Sequence, residues 1–188
     1  MEDYTGYETV KEKLITEGIK ELQNHGAADF SLRRVATACN VSCAAPYKYF
    51  KDKDDFIAEI LVYIQRQWQL LQNQIANIFS SDTGEQIIQI CIAYIKFRIA
   101  NPGFNAVLMM TTKHSADERI AGSHMTDYIR ILIEKYCMEN SFSAEETASK
   151  IFAVRAYVYG AIIMLDKGQI KNSPETINMI KKCIKEIL

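Results

Sequence analysis

Apolar residues recur at three- and four-residue steps through almost the whole chain, a spacing that predicts a succession of helices and no strand. Over residues 7–25, Val10, Leu14, Ile15, Gly18, Ile19 and Leu22 share one helical face, and Gly26 comes next as a left-handed stop. Ser31, a good N-cap, predicts a short second helix with Leu32, Val35, Ala36 and Cys39 inward and Arg33 and Arg34 turned elsewhere. Asn40 tolerates positive φ, so a sharp reversal is expected there, returning Val41 to the core and leaving Ser42 to cap a third helix over "CAAPYKYF". A long fourth helix is predicted from Asp52 or Lys53 to about Phe79, on Phe56, Ile57, Ile60, Leu61, Ile64, Trp68 and Leu71.

Beyond "SSDTG" the pattern predicts helices over 85–100, a short one after the Asn101-Pro102-Gly103 break through Met110, and others over 116–138, 144–167 and 174–188. The expected fold is all-α. Residues 1–53 form a small three-helix unit, joined by the long fourth helix to a helical bundle in residues 54–188.

Charge sharpens the view of the first unit. The 188 residues sum to a formal −1, so affinity for a polyanion must come from a local cluster. Residues 31–53 hold such a cluster: Arg33, Arg34, Lys48, Lys51 and Lys53 stand against Asp52 alone, a net +4. Two short helices joined by a tight turn, the second one basic, meet the steric demands of a helix-turn-helix entering a DNA major groove.

Other chemistry finds little support. Five scattered cysteines lack a Cys-x-x-Cys pair, which argues against a disulfide framework or zinc site, and Cys39 is expected to be buried. His25, His114 and His124 have no metal-binding spacing. No nucleophile–base pair or glycine-rich phosphate loop is evident, so neither an enzyme nor a cofactor is expected. The start "MEDYTGYETVKEKLITEG" is charged throughout and no apolar stretch is expected to span a bilayer, which predicts an unprocessed cytoplasmic chain without a membrane partner.

The stretch "LRRVATACNVSCAAPYKYFKDKDDFI" resembles the DNA-binding half of TetR-type one-component transcriptional regulators, which reads "xxIAxxAGVSxGxLYxxF" and then "xxKxxL". Val35, Ala36, Val41, Ser42, Tyr47, Phe50 and Lys53 match in register. Asn40 replaces a usual glycine, Cys43 a usually polar or basic residue, Ala44 a frequent glycine and Pro46 the usual leucine. Pro46 has no N–H, which predicts an irregular first turn in the third helix. The resemblance implies a double-stranded DNA operator, with Ser31, Tyr49 and Lys53 at phosphates and Arg33, Cys43, Ala44, Tyr47 and Lys48 at or near base edges.

It also implies a homodimer formed through the last two long helices. Their stripes, Ile151, Val154, Val158, Ile162 and Leu165 with Ile177, Ile180, Ile184 and Ile187, look too extensive to stay exposed, and Gly160 fits close helix approach. A small, mostly apolar effector is implied for the second half, with Trp68, Tyr94, Phe97, Phe104, Met109, Tyr128, Arg155 and Tyr159 as candidate pocket residues. Arg155, on an otherwise apolar helix, either pairs with a carboxylate or awaits an anionic ligand group. The "KFRIANPGFNAVLMM" stretch resembles a helix corner that relays effector binding in some members, with "TTKHSADERI" as a mobile connection. The expected function is a ligand-responsive repressor. The rival is a helical protein–protein adaptor whose basic module docks an acidic partner.

Overall fold

A computed structural model of the chain describes residues 9–26, 28–101 and 124–188, the side chains of the last segment from Asp127 onward. The described residues are all-helical: α1 (Val10–His25), α2 (Leu32–Ala38), a 3-10 turn (Pro46–Lys48), α3 (Lys53–Ile78), α4 (Thr83–Ala100), α5 (His124–Glu139), α6 (Ala144–Asp166) and α7 (Pro174–Ile187). The expected short helix ending at Met110, the connection 111–120, His114 and the pocket candidates Phe104 and Met109 lie outside the described residues.

Polar caps set the helix starts. Thr9 and Glu12 form a capping box, the Thr9 N–H donating to Glu12 Oε2 (2.8 Å) and Glu12 N–H to Thr9 Oγ1 (3.2 Å), which sets the start of α1 at Val10. Asp82 Oδ1 accepts from Glu85 N–H (2.9 Å), which places the start of α4 at Thr83. Asp52 Oδ1 likewise accepts from Asp55 N–H (2.9 Å) at the head of the 26-residue α3. A second capping box, Ser143 with Glu146, opens α6, and Ser173 with Pro174 after it opens α7. At the other end of α7, Lys150 Nζ donates to the carbonyls of Ile187 (2.9 Å) and Leu188 (2.8 Å), pinning that terminus to α6.

The chain divides into two compact units, the boundary falling inside α3 between Ile64 and Gln65. The first is built on Leu14, Leu22, Phe30, Val35, Ala36, Phe50, Phe56, Ile60 and Leu61, all buried. Gly18 of α1 lets the Phe56 ring approach so closely that an added Cβ would lie 2.5 Å from its Cε1. Phe56 in turn meets Phe50 edge-on, ring centroids 4.4 Å apart, and Phe30 at 5.7 Å.

In the second unit α4 packs against α5, α6 and α7 and buries Ile87, Ile88, Ile90, Cys91, Tyr94 and Ile95. The Cys91 thiol is pushed up to about 12 by burial, which keeps it protonated and inert. Here one expectation is corrected. Val154, Val158, Ile162 and Leu165 of α6 and Ile177, Ile180 and Ile184 of α7 are buried within the protomer, so the stripe predicted to meet a second subunit is this unit's own core. Different apolar residues are left outside: Phe152 is 75% and Ile163 57% exposed, and Met164 and Met179 are exposed too. Among the described residues nothing lies within 4 Å of a Cβ added at Gly160, so no close approach to them requires the glycine.

A second correction concerns membranes. α6 is long and apolar enough to cross one by length and composition, where no such stretch is expected from the sequence. Its buried face packs within the helical bundle of the second unit.

Candidate nucleic-acid interface

Three backbone groups shape the turn after α2. Asn40 takes φ 57°, its N–H donates to Thr37 O (3.0 Å), and Val41 N–H reaches back to Ala36 O (3.0 Å). These are the paired bonds of a Schellman motif with asparagine in the position usually given to glycine. Val41 is half-buried and Cys39 buried, as expected from their spacing.

The predicted third helix is replaced by a looser segment. From Ser42 to Tyr49 the backbone is held by i→i+3 bonds, Ala45 N–H to Ser42 O (2.9 Å), Tyr47 to Ala44 (3.2 Å), Lys48 to Ala45 (3.2 Å) and Tyr49 to Pro46 (3.0 Å), and only Pro46–Lys48 counts as a 3-10 helix. The cause is chemical. Pro46 has no N–H to donate back toward Ser42 or Cys43, so the ladder breaks in its first turn. The cap position of the 3-10 turn is Ala45, with no side-chain bond, so the expected Ser42 cap is corrected as well.

Pro46 and Phe50 are buried beneath this segment, while Cys43, Ala44, Tyr47, Lys48 and Tyr49 all stand in solvent, Tyr47 at 60% exposure. Ser31 caps α2 as predicted, its Oγ accepting from Arg34 N–H (3.4 Å), and Arg33 beside it is exposed. Lys53 lies over the Phe30 ring (5.8 Å) at the head of α3 and is only half-buried. Lys51 N–H is bonded to Asp55 Oδ2 (2.9 Å), which fixes the turn leading into α3.

One residue outside the expected site organises the start of α2. Glu21 of α1 is buried, and its Oε1 accepts from Ser31 N–H (3.1 Å) and from Arg34 Nε (2.8 Å) and Nη2. Arg34 Nη2 also donates to Asp29 O, and His25 Nε2 lies 3.7 Å from Glu21 Oε2. Burial pushes the Glu21 carboxyl up. The bonds from Arg34 and Ser31 and the Arg34 charge outweigh that and hold its pKa below the ordinary carboxylate value. Arg34 is therefore already neutralised from within, and the positive cluster of residues 31–53 falls from +4 to +3. A glutamate on the inner face of an otherwise apolar stripe is the signal that could have found it.

The pocket candidates in the second unit fall into two sets. Trp68 packs against Tyr94 and Phe97, ring centroids 5.4 Å away in each case. Arg98, which sequence reasoning missed, is buried and donates from Nη1 to Tyr94 Oη (2.6 Å) with its guanidinium over that ring. Burial first, and then the neighbouring Tyr159, push the Tyr94 phenol up, while Arg98 pulls the other way. Tyr159 thus joins Trp68, Tyr94 and Phe97. Tyr128 and Arg155 are half-buried and make no ring contact or hydrogen bond with that group among the described residues. Among the described residues of this chain Arg155 has no carboxylate partner, and the expected pairing across a dimer seam involves a second copy.

Against known proteins, the profile of "Bacterial regulatory proteins, tetR family" matches residues 14–60. No curated protein sequence matches the chain. Among solved structures, a TetR family transcription regulator from Marinobacter aquaeolei VT8 superposes at TM-score 0.68 and 14% identity, covering 95% of this chain and 94% of that one. The transcriptional regulator FadR from Bacillus subtilis, in complex with stearoyl-CoA, superposes at TM-score 0.71 and 9% identity, covering 94% and 98%. A protein of unknown function from Rhodococcus sp. RHA1 reaches TM-score 0.78 at 18% identity, covering 100% and 99%. Residues 14–60 therefore match the tetR family of bacterial regulatory proteins, and the described residues share the fold of solved TetR-family transcription regulators.

Proposed function

We propose that the chain is a cytoplasmic, non-enzymatic transcriptional repressor that binds a palindromic DNA operator as a homodimer and is released by a small, mostly apolar effector. The carrying observation is the exposed row Arg33, Cys43, Ala44, Tyr47, Lys48 and Tyr49, held on a capped helix and a Schellman turn, inside the family-matched segment. Ser31, Tyr49 and Lys53 take phosphates in this reading. Arg33 and Lys48 suit guanine O6 and N7, and Ala44 suits a thymine methyl, each good base contact being worth roughly 1–3 kcal/mol of discrimination. The short 3-10 segment and the thiol of Cys43 offer few bidentate contacts, so sequence preference leans on DNA shape.

The second copy is assigned to α6 and α7. Between them lies an open apolar groove of about 530 Å³ lined by Ala153, Ala156, Tyr157, Gly160, Met164 and Met179, among others. α6 thus has an apolar face toward its own core and another, with Phe152 and Ile163, toward solvent, and a patch of this kind marks an interface. Two copies joined there give the paired modules that a palindrome with half-sites about 34–36 Å apart requires. An effector in the second unit, around Trp68, Tyr94, Phe97 and Tyr159, fits the precedent of FadR, whose structure holds stearoyl-CoA. Tyr128 and Arg155 remain candidates at its margin.

The test is selection of bound duplexes from a random pool, with anisotropy titration of the winner. An enriched inverted repeat bound by the dimer, with affinity falling steeply with salt, is the expected result. No enrichment, with salt-sensitive binding to an acidic protein instead, would favour a docking adaptor.

A further inference from the structure

Two buried donors in the second unit lack an acceptor among the described residues. The indole Nε1 of Trp68, a residue 1% exposed, and the amide Nε2 of Gln65 have no hydrogen-bond partner there. Both groups donate only, and native interiors leave few such donors unmet. They sit at i and i+3 of α3, so they share one face of that helix. The surroundings are aromatic and donor-rich: Trp68 packs on Tyr94 and Phe97, and next along α4 the buried Arg98 guanidinium spends one N–H on the Tyr94 hydroxyl.

We infer that the effector carries an oxygen acceptor, a carboxylate or an acyl carbonyl, which is received by Gln65 Nε2 and Trp68 Nε1, with its apolar remainder against the aromatic group. This rests on the proposal that the second unit holds an effector, and it adds the polar chemistry by which that effector is recognised. The donor set selects against cationic heads, because an ammonium offers no acceptor to either N–H and meets the positive Arg98 nearby. It accepts equally a free acid and an acyl thioester, which share the oxygen.

Trp68 is the only tryptophan in the chain, so its fluorescence reports on this site without a label. The whole chain, without DNA, is titrated below micellar concentrations with laurate, lauroyl-CoA and dodecyltrimethylammonium, which share a twelve-carbon chain. The expected result is a saturable change in indole emission with laurate or lauroyl-CoA, at least tenfold tighter than with the ammonium. Gln65→Leu should weaken the oxygen-bearing ligand about tenfold and leave the ammonium unchanged. Equal affinities for the three heads, binding without an emission change, or full affinity in Gln65→Leu would each overturn the inference. So would a high-resolution crystal structure with an ordered water on both N–H groups in the presence of saturating laurate. The comparison of heads needs no variant, so a misfolded mutant does not leave the question open. Should laurate bind as expected yet leave operator affinity unchanged, the acceptor site stands and its role as effector site falls.

Discussion

Glu21 shows how one buried charge decides what its neighbours are free to do. By accepting from Arg34 and from the Ser31 amide, it fixes the N-terminus of α2 and takes one arginine out of the basic cluster. Glu21→Gln releases Arg34, and the variant is expected to gain about one phosphate contact, steepening the slope of log K against log salt by about 0.9 for any duplex. Specific binding should gain less than non-specific binding, because α2 loses its anchor. The double variant Glu21→Gln with Arg34→Gln should return the slope to its starting value. A slope unchanged in the single variant would show that Arg34 stands clear of the DNA. A purely structural role for Glu21 alters affinity and leaves that slope alone. At the same scale, Arg33→Ala is expected to relax preference at one base position, whereas Lys53→Ala weakens all sequences together and flattens the salt dependence. Equal losses at every position for Arg33→Ala, in a full base-substitution series of the operator, would exclude a base contact.

Among the elements, two glycines make opposite predictions. Gly18→Val puts carbon where the Phe56 ring and Ile60 already lie, and overpacking of that kind costs about 1–3 kcal/mol, measurable as a lower denaturation midpoint. Gly160→Ala meets nothing within 4 Å, so in the isolated protomer it should add up to about 1 kcal/mol through helix propensity alone. Unfolding curves at low protein concentration check both. The same contrast says what periodicity makes legible. Buried positions of α1, α2 and α3 are readable directly from three- and four-residue spacing, and Asn40 announces its positive φ because few other side chains tolerate it. The stripes on α6 and α7 are equally plain in the spacing, but their neighbour is not. Spacing marks an apolar face without saying whether the same chain or another copy covers it, and α6 is apolar on both sides. The third helix fails for a local reason: one missing N–H at Pro46 turns a plausible helical octet into a 3-10 turn. Arg98 and Gln65 are invisible in the sequence because their significance lies in which bonds they make or lack, and that depends on tertiary packing.

For the molecule as a whole, acid should loosen the fold. The carboxyls of Glu12, Glu21, Glu146 and Glu175 all titrate below the ordinary glutamate value, lowered by cap bonds and, for Glu21, by Arg34 and Ser31 against burial. A depressed folded pKa means that the stabilisation is complete above the ordinary carboxylate range and is lost as pH falls through the lowered values. Thermal midpoints measured from neutral pH into acid should therefore be flat and then drop as pH falls through and below the ordinary carboxylate range, and Glu21→Gln should remove part of that drop. A midpoint that rises on acidification would contradict the assignment of these carboxylates. Assembly is the other property of this scale. Ile163→Glu and Phe152→Glu place charge on the exposed face of α6 without touching the protomer core, so these substitutions should split the proposed dimer, and sedimentation should then show monomers that keep their helical signal. Those monomers should bind a single half-site weakly. The most direct trial of the central claim is an anisotropy titration of the wild-type protein against its selected inverted repeat and a shuffled duplex, repeated from low to physiological salt. Preference for the repeat by a factor of about a thousand or more, lost when Arg33 and Lys48 are replaced by alanine, is predicted. Indifference to duplex sequence at every salt concentration, or binding untouched by those two replacements, would contradict it.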